Sequence, residues 1–245
     1  PHVELTDAVA GVETLAPGGG RAFVVAEPVR PRPDGGDRLC DAFAAALADA
    51  TSPARRQLAA LDGPEAHRDP RPEDLLFVDL ETAGLSNAPL FLIGAMSWEG
   101  DGLCVRQYLA RDYAEERAVL GLYAAAAAAK RVLVSFNGKS FDVPYLRARA
   151  AATAATLPAA PAHLDLLHVS RRAWGRSLPD CRLQTLERCL CRRYRDDDIP
   201  GHAIPEAYHA FVRTHNAARM ERILRHNLLD LLTLADLLTR LPPTA

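Results

Sequence analysis

The chain has 245 residues, of which 49% are hydrophobic, and a formal net charge of −2. This length suits one large domain with an appended segment, and the charge gives no global sign of a nucleic-acid binder, although a local basic patch can bind one. No apolar run approaches the roughly 20 residues of a membrane span, and the chain starts without a basic-then-apolar leader. Five unevenly spaced cysteines are typical of reduced thiols. We therefore expect a cytoplasmic protein that makes no membrane contact.

Turn-forming residues dominate the first seventy positions. Two segments rich in Gly and Pro, residues 16–20 and 28–37, flank the apolar run RAFVVAE, which predicts a hairpin around the first glycine cluster. Helices are predicted at residues 41–50 and 53–61, and an exposed linker at residues 64–72. We interpret residues 1–72 as an N-terminal extension (hairpin and helices) with its linker, and residues 73–245 as the main domain.

The main domain alternates strongly apolar runs with helical segments. Strands are predicted at residues 75–80, 90–98, 103–109 and 131–136, and helices at 115–130, 142–152, 183–191 and 217–238. Residues 163–174 predict a strand, or a strand that turns into a helix, and residues 198–208 a loop punctuated by proline. Strands at hairpin distance followed by helices and a further strand predict an α/β fold, a mixed sheet flanked by helices.

Two carboxylates interrupt the first strand of this domain, in the stretch FVDLETAG at residues 77–84. Asp79 and Glu81 are two residues apart, so on a strand they point to the same face. Like charges at that distance repel each other, whereas a divalent cation stabilises both because it prefers oxygen ligands. The alternative is a strand end with two solvated acids.

Two further acids and a histidine follow at element boundaries. Asp142 lies near the start of a predicted helix in SFNGKSFDVPYL, where it is equally explained as a helix cap. His226 and Asp230, in HNLLD, are four residues apart and share one helix face, where surface pairs are also common. Taken together with Asp79 and Glu81, they form the ligand set expected for two hard cations that activate water and stabilise a phosphoryl leaving group. His226 would then take the proton from the attacking water.

These motifs resemble, in order and type, the three exonuclease motifs of the DnaQ-like, ribonuclease H-like superfamily. The chain is most similar to its YprB-like group of predicted exonucleases, a resemblance that covers residues 74–241 and includes HLDLLHVSRRAW, LPDCRLQTLE and DDDIPGHAIPEAYHAF. It implies a mixed five-stranded sheet, two Mg²⁺ or Mn²⁺ ions, and release of nucleoside monophosphates from a 3′ end. The Asp-Glu-Asp-Asp signature maps onto Asp79, Glu81, Asp142 and Asp230, and the general base onto His226.

One spacing departs from that family. Four positions separate His226 from Asp230, whereas many histidine-type members have five, and four is the spacing found when tyrosine holds the position. The position of His226 therefore departs from the one that the resemblance implies.

Weaker signals surround the motifs. Residues expected to contact a terminal nucleotide follow the acids or lie in the second motif, namely Thr82, Leu85, Phe136, Asn137 and Lys139. Asp165, in HLDLL, either supports the metal site from behind or caps the following helix. Cys181, Cys189 and Cys191 lack the spacing of a zinc knuckle, so small buried thiols are expected.

Arginines are concentrated between residues 171 and 195, with Trp174 and Tyr194 among them. Such a pattern suits phosphate contact and base stacking on a single strand, or equally a salt-bridged helical face paired with Glu187 and the acids at 196–198. The arginines are Arg171, Arg172, Arg176, Arg182, Arg188, Arg192, Arg193 and Arg195.

The sequence thus predicts a metal-dependent 3′–5′ exonuclease that binds nucleic acid, most readily a single-stranded 3′ end. Two alternatives stay open: a nucleic-acid-binding protein of the same fold with little or no cleavage, and an endonuclease of that fold. DNA and RNA are not distinguished.

Overall fold

A seven-stranded mixed sheet forms the centre of the molecule in the computed structural model, which describes residues 2–30, 35–61, 69–159 and 161–243. The strand order is β1-β2-β5-β4-β3-β6-β7. β6 lies parallel to β3 and β7, and the other neighbours are antiparallel. The strands are β1 Val12–Leu15, β2 Arg21–Pro28, β3 Leu75–Thr82, β4 Leu90–Glu99, β5 Gly102–Leu109, β6 Val132–Ser135 and β7 Ala162–Asp165. The predicted α/β class, with a ribonuclease H-like arrangement of sheet and helices, is confirmed.

Helices cover both faces of the sheet. They are α1 Leu5–Ala8, α2 Gly36–Ala48, α3 Pro53–Ala59, α4 Glu116–Ala127, α5 Asp142–Thr153, α6 Leu166–Trp174, α7 Leu183–Leu186, α8 Ile204–Thr214 and α9 Met220–Thr239. Within the described ranges, none of these helices is both long enough and apolar enough to cross a bilayer.

The alternation of side chains along β3 separates two hydrophobic cores. Leu76, Val78 and Leu80 belong to the core that contains α4, α5 and α8. Leu75 and Phe77 belong to the core that contains α2, α6 and most of α9. Because the side-chain period of a strand is two, the next odd-numbered residues of β3 also face α9. The two acids of the first motif are therefore directed toward the last long helix.

The N-terminal hairpin extends the sheet. Its strands flank the glycine cluster as predicted, and β2 pairs antiparallel with β5 from Phe23 opposite Leu109 to Pro28 opposite Cys104. The five strands implied by the family resemblance correspond to β3–β7, and the hairpin adds two more at one edge. Most of the predicted linker, residues 64–68, lies outside the described residues.

Three segments refine or correct the predicted elements. Residues 163–174 form the end of β7 followed by α6, so the strand that turns into a helix is confirmed. The helix predicted at residues 183–191 is α7 followed by a π-helical turn, Glu187–Cys191. The loop predicted at residues 198–208 was wrong in its second half, because α8 begins at Ile204. Pro205 lies in the first turn of α8, where its missing N–H leaves no hydrogen bond unmade.

Candidate active site

Asp79 and Glu81 lie partly buried near the end of β3, an interior strand between β4 and β6. Glu81 precedes an irregularity in the pairing of β3 with β4, between Glu81 and Thr82. The strand therefore supplies both carboxylates just before it leaves the regular ladder. Both face α9, which carries the third motif.

A buried amide on α9 holds Asp79. Nδ2 of Asn227 donates to Oδ2 of Asp79 at 2.8 Å and lies 3.2 Å from its backbone oxygen. Oδ1 of Asn227 accepts from Nε2 of Gln107 at 2.9 Å, and that nitrogen also lies 2.7 Å from the backbone oxygen of Leu224. The carboxylate is thus held through a chain of amides that starts on β5.

A glycine makes room for this chain of amides. Gly94 on β4 is paired with Asp79 on one side and Gln107 on the other. A Cβ atom at Gly94 would lie 2.0 Å from Oδ1 of Asn227, far inside contact distance. Asn227 therefore rests on the backbone of the central strand, which only glycine permits.

Asp142 is buried at the first position of α5 and lies near enough to Asp79 and Glu81 for its charge to act on both. The helix cap is Phe141, so the capping explanation for Asp142 does not hold in the structure. Burial raises the pKa of Asp142, and the backbone N–H of Leu80, which lies between the two acids of β3, opposes that shift. A Cβ at Gly138 would come within 3.1 Å of Oδ2 of Asp142, so the loop passes close to this carboxylate.

His226 and Asp230 share one face of α9, as their spacing predicts, with Nε2 of His226 3.5 Å from Oδ2 of Asp230. Nδ1 of His226 lies 2.9 Å from Oδ1 of Asp198. When the ring is neutral, this arrangement places the proton on Nδ1 and leaves the lone pair of Nε2 facing Asp230. His226 is buried, so the ring is fixed by its neighbours.

Arg195 binds the other oxygen of Asp230. Its Nη2 donates to Oδ1 of Asp230 at 2.5 Å, its Nε donates to Oε2 of Glu187 at 2.6 Å, and its Nη1 lies 3.4 Å from Oδ2 of Asp198. Burial by itself lowers the pKa of Arg195, but Asp230 and Glu187 outweigh it and raise the pKa. Arg195 is therefore a permanent cation that ties the loop before α8 to α9.

Burial and the neighbouring acids raise the pKa values of Asp79 and Glu81. Loss of solvation is the main cause for Asp79 and Glu81, and repulsion from Asp230 is the next, so both have pKa values well above their ordinary range. Burial raises the pKa of Asp142 to about 7. Burial also raises the pKa of Asp230, although Arg195 and His226 oppose that shift. The protein therefore concentrates acids where their charges are poorly solvated.

The chemistry of this donor set fits divalent cations. Carboxylate oxygens are the ligands that Mg²⁺ and Mn²⁺ prefer, and a cation removes the repulsion that otherwise destabilises the group. Across the described residues, no three His, Cys, Asp or Glu side chains are already arranged to hold a metal ion. Asp79 and Asp230 each have one oxygen bound by a protein donor. Their carboxylates would hold cations through the remaining oxygens.

The second motif is anchored by Asp165. Its buried carboxylate accepts hydrogen bonds from the backbone N–H groups of Asn137 at 2.8 Å and Lys139 at 3.0 Å. It also caps α6 by accepting from Leu167 at 3.0 Å. Asp165 therefore caps a helix, one of the two roles weighed from the sequence, and it also holds the loop that leads to Asp142. Its support of a metal site stays a prediction.

The residues expected to touch a nucleotide differ in solvent exposure. Leu85 is 92% exposed just beyond β3, and Lys139 is exposed. Thr82 donates through Oγ1 to the backbone oxygen of Gly84 at 2.8 Å. Asn137 is exposed with φ +63°, in the left-handed region. Phe136 is partly buried and packs against the core on the α9 side, so it fixes the second motif to that core.

The cysteines are free thiols of different exposure, and part of the arginine-rich segment forms salt bridges. Cys181 and Cys191 are partly buried and Cys189 is exposed, all three as free thiols. Burial raises the pKa of Cys191 to about 12, which suits an inert thiol. Of the arginines, Arg193 and Arg195 form the internal salt bridges that the sequence offered as one alternative.

The fold and the site together define an α/β protein with an acidic centre on β3, an interior strand of a mixed sheet. A family model described as RNase_H superfamily matches residues 76–242, and the chain belongs to that superfamily. It is 31% identical over 169 residues to the Bacillus subtilis (strain 168) protein titled "Uncharacterized protein YprB", covering 67% of this chain and 41% of that protein. The chain thus spans less than half the length of this relative.

A solved structure shares the fold. The structure of the family B DNA polymerase from the hyperthermophilic archaeon Pyrobaculum calidifontis superposes with a TM-score of 0.57 at 19% identity, over 70% of this chain and 25% of the polymerase. At this identity the similarity concerns the arrangement of sheet and helices. It agrees with the ribonuclease H-like fold expected from the motifs.

Several residues that shape the site were missed from the sequence. Asn227 lies inside the third motif, next to His226, but its amide type gave no sign of a buried contact with Asp79. Gln107 reads as an ordinary strand residue. Asp198 carried the one available signal, because it belongs to the DDDIPG segment of the family resemblance. Its pairing with His226 joins positions 28 residues apart.

Proposed function

We propose that the chain is a divalent-metal-dependent 3′–5′ exonuclease of the DnaQ-like type, which hydrolyses phosphodiester bonds of DNA or RNA with two cations. Four carboxylates would hold the cations, namely Asp79, Glu81, Asp142 and Asp230. Membership of the RNase_H superfamily supports nuclease chemistry. The preference for a 3′ end rests on the motif resemblance.

One observation carries the proposal: four carboxylates from three separate elements are gathered at one place, where Asp142 and Asp230 lie close enough to raise the pKa values of Asp79 and Glu81. Two come from β3, one from the start of α5 and one from α9. Burying acids together without a cation is unfavourable, so such a group is rare as a purely structural feature. Its placement next to an oriented histidine favours a hydrolytic centre.

The protein's own groups have defined tasks in the proposed reaction. A water oxygen attacks the terminal phosphorus in line, and the bond from phosphorus to the 3′ oxygen breaks. Nε2 of His226 accepts the proton of that water, while Asp198 holds Nδ1 and stabilises the charged ring. Bound cations would neutralise the charge on the transferred phosphate and the departing oxygen. The leaving 3′ oxygen ends as a hydroxyl after taking a proton.

The test uses 5′-labelled single-stranded DNA and RNA of one sequence with Mn²⁺. We expect a ladder that shortens from the 3′ end and a mononucleotide product. Asp79→Asn, Glu81→Gln, Asp142→Asn and Asp230→Asn should each reduce the rate by at least about 10³-fold, because each removes a ligand charge. The preferred sugar follows from the two ladders.

A control separates loss of chemistry from loss of fold. Asp101→Asn removes an exposed acid from the turn between β4 and β5 and should cleave like the wild type. Internal cuts would favour an endonuclease of the same fold. Full activity in all four acid variants would contradict the proposed mechanism, and binding without cleavage by the wild type would favour the nucleic-acid-binding alternative.

A further inference from the structure

A basic cavity lies beside the acidic centre. A cavity of about 740 Å³ opens between α2, α9 and the segment that follows the π-helical turn. Its lining includes one carboxylate, Asp236, and five arginines: Arg38, Arg192, Arg193, Arg225 and Arg240. In a chain with a formal net charge of −2, this is a marked local concentration of positive charge.

Part of this charge is not neutralised. Arg193 and Arg240 share Asp236, with Nη2 of Arg193 3.5 Å from Oδ2 and Nε of Arg240 2.5 Å from Oδ1. Nη1 of Arg225 lies 3.3 Å from the backbone oxygen of Asp196. Arg192 and Arg225 make no ion pair with any carboxylate in the described ranges. Two exposed guanidinium groups are therefore available to an outside anion.

After the π-helical turn, residues 192–195 alternate between exposed side chains and side chains that contact α9. Arg192 has φ +53°, in the left-handed region, and ends the turn. From there Arg193 and Arg195 reach inward to α9, whereas Arg192 is exposed and Tyr194 is 71% exposed. Arg193 is held by Oγ1 of Thr233 at 3.0 Å, so the segment is fixed to the helix. An aromatic ring and a free guanidinium are thus presented side by side at the cavity.

The cavity and the acidic centre use neighbouring faces of the same helix. Arg225 and Leu229 line the cavity, and each immediately precedes a residue of the centre, His226 or Asp230. Consecutive residues of a helix are about 100° apart around its axis. Arg195, which binds Asp230, is the next residue after Tyr194. A strand lying along the cavity would therefore pass close to the acids.

We propose that this cavity binds a segment of single-stranded nucleic acid, with Arg192 and Arg225 on its phosphates and Tyr194 stacked on a base. The arginines lie on three different segments around the cavity, and two of them already share Asp236, so the remaining ones suit a chain of phosphates better than a single anion. Arginine with an exposed aromatic ring is the combination that binds single strands without sequence preference. Leu39 and Leu229 supply an apolar floor. The choice of nucleic acid as the ligand rests on the proposed function, whereas binding in the cavity does not require cleavage at the acidic centre.

The experiment measures binding of a fluorescein-labelled 20-nucleotide thymidine oligonucleotide by anisotropy, with EDTA present so that no cleavage occurs. Arg192→Glu/Arg225→Glu should bind at least tenfold more weakly than the wild type at about 0.1 M salt. The slope of log K against log salt should fall by about 1.4, because each lost phosphate contact removes about 0.7. Tyr194→Ala should weaken binding about tenfold without changing that slope.

Matched variants decide the outcome. Arg117→Glu/Arg213→Glu makes the same charge change at exposed positions on α4 and α8 and should stay within twofold of the wild type. Equal weakening by both pairs, or none by either, would overturn the proposal, as would absence of binding by the wild type. Thermal melts confirm folding, and Arg192→Gln/Arg225→Gln provides a milder pair. Competition by polyglutamate as strong as by unlabelled oligonucleotide would assign the cavity to acidic polypeptides instead.

Discussion

Replacing Gly94 by alanine tests the link between the central strand and the acidic centre. The new methyl group would lie 2.0 Å from Oδ1 and 2.7 Å from Nδ2 of Asn227. Asn227 must then leave its place, which breaks its hydrogen bonds to Asp79 and Gln107. Overpacking costs about 1–3 kcal/mol and each lost hydrogen bond about 1 kcal/mol. The lower entropy of the unfolded alanine chain returns about 0.5 kcal/mol, so a net loss of about 3 kcal/mol is expected.

The assay is a double-mutant cycle measured by urea unfolding. Asn227→Ala alone should cost about 2 kcal/mol, since it removes the same hydrogen bonds without the overlap. In the double variant the methyl of Ala at position 94 enters the vacated space, so Gly94→Ala should add less than about 0.5 kcal/mol. The coupling energy is then about 2–3 kcal/mol. Additive effects within about 0.5 kcal/mol would refute the claim that Gly94 exists to accommodate Asn227.

Three further results are expected. Asp198→Ala should lower kcat on the order of 10²-fold with KM unchanged, because His226 loses the partner of its Nδ1; an equal rise of KM would contradict this. Burial lowers the pKa of His163 to about 4. As the pH falls from 6.5, His163 is therefore protonated in the unfolded chain before it is protonated in the folded protein, and the free energy of unfolding decreases towards pH 4. The pKa shift alone corresponds to a loss of about 3 kcal/mol, which solvent exposure of the ring reduces to about 1–2 kcal/mol. Urea unfolding of His163→Gln at pH 6.5 and pH 4 should not show that loss. Glu116→Ala should cost about 3–5 kcal/mol because it leaves Arg149 and a backbone N–H without their buried partner, whereas Glu116→Leu/Arg149→Met should cost clearly less; equal losses in the single and double variants would contradict a pair effect.

Local patterns were enough to predict the elements that carry the motifs. The apolar run before Asp79 identified β3, and the two-residue spacing placed Asp79 and Glu81 on one face because strand geometry fixes that relation. The four-residue spacing in HNLLD likewise placed His226 and Asp230 together on α9. These relations depend only on the chain's own periodicity.

Contacts between distant segments were not predictable in the same way. Asn227 meets Asp79 across 148 positions and Gln107 across 120, and both contacts depend on the register of three strands under one helix. A glycine in the middle of an apolar strand gave no hint that a side chain crosses above it. The same holds for Asp198, whose loop is brought to His226 by the packing of α8 and α9.

The N-terminal hairpin could also be predicted only in part. Its hairpin was predicted from turn residues, but the pairing of β2 with β5 was not, because an exposed sheet edge leaves no mark in the sequence of its partner. The arginine-rich segment offered two interpretations, and the structure contains the salt-bridged one at Arg193 and Arg195. Arg192 and Tyr194 of that segment are exposed and form part of the lining of the basic cavity.

The most direct test of the account is titration of Mn²⁺ into the wild type and into Asp79→Asn, followed by calorimetry and thermal melting. We predict a stoichiometry near two for the wild type, and a stabilisation of about 2.7 kcal/mol per site at a free concentration 100 times Kd. Asp79→Asn should keep its fold in the absence of metal and lose at least one of the two binding events. Absence of binding by the wild type, or identical titrations of the two proteins, would contradict the claim that these carboxylates are assembled to hold divalent cations.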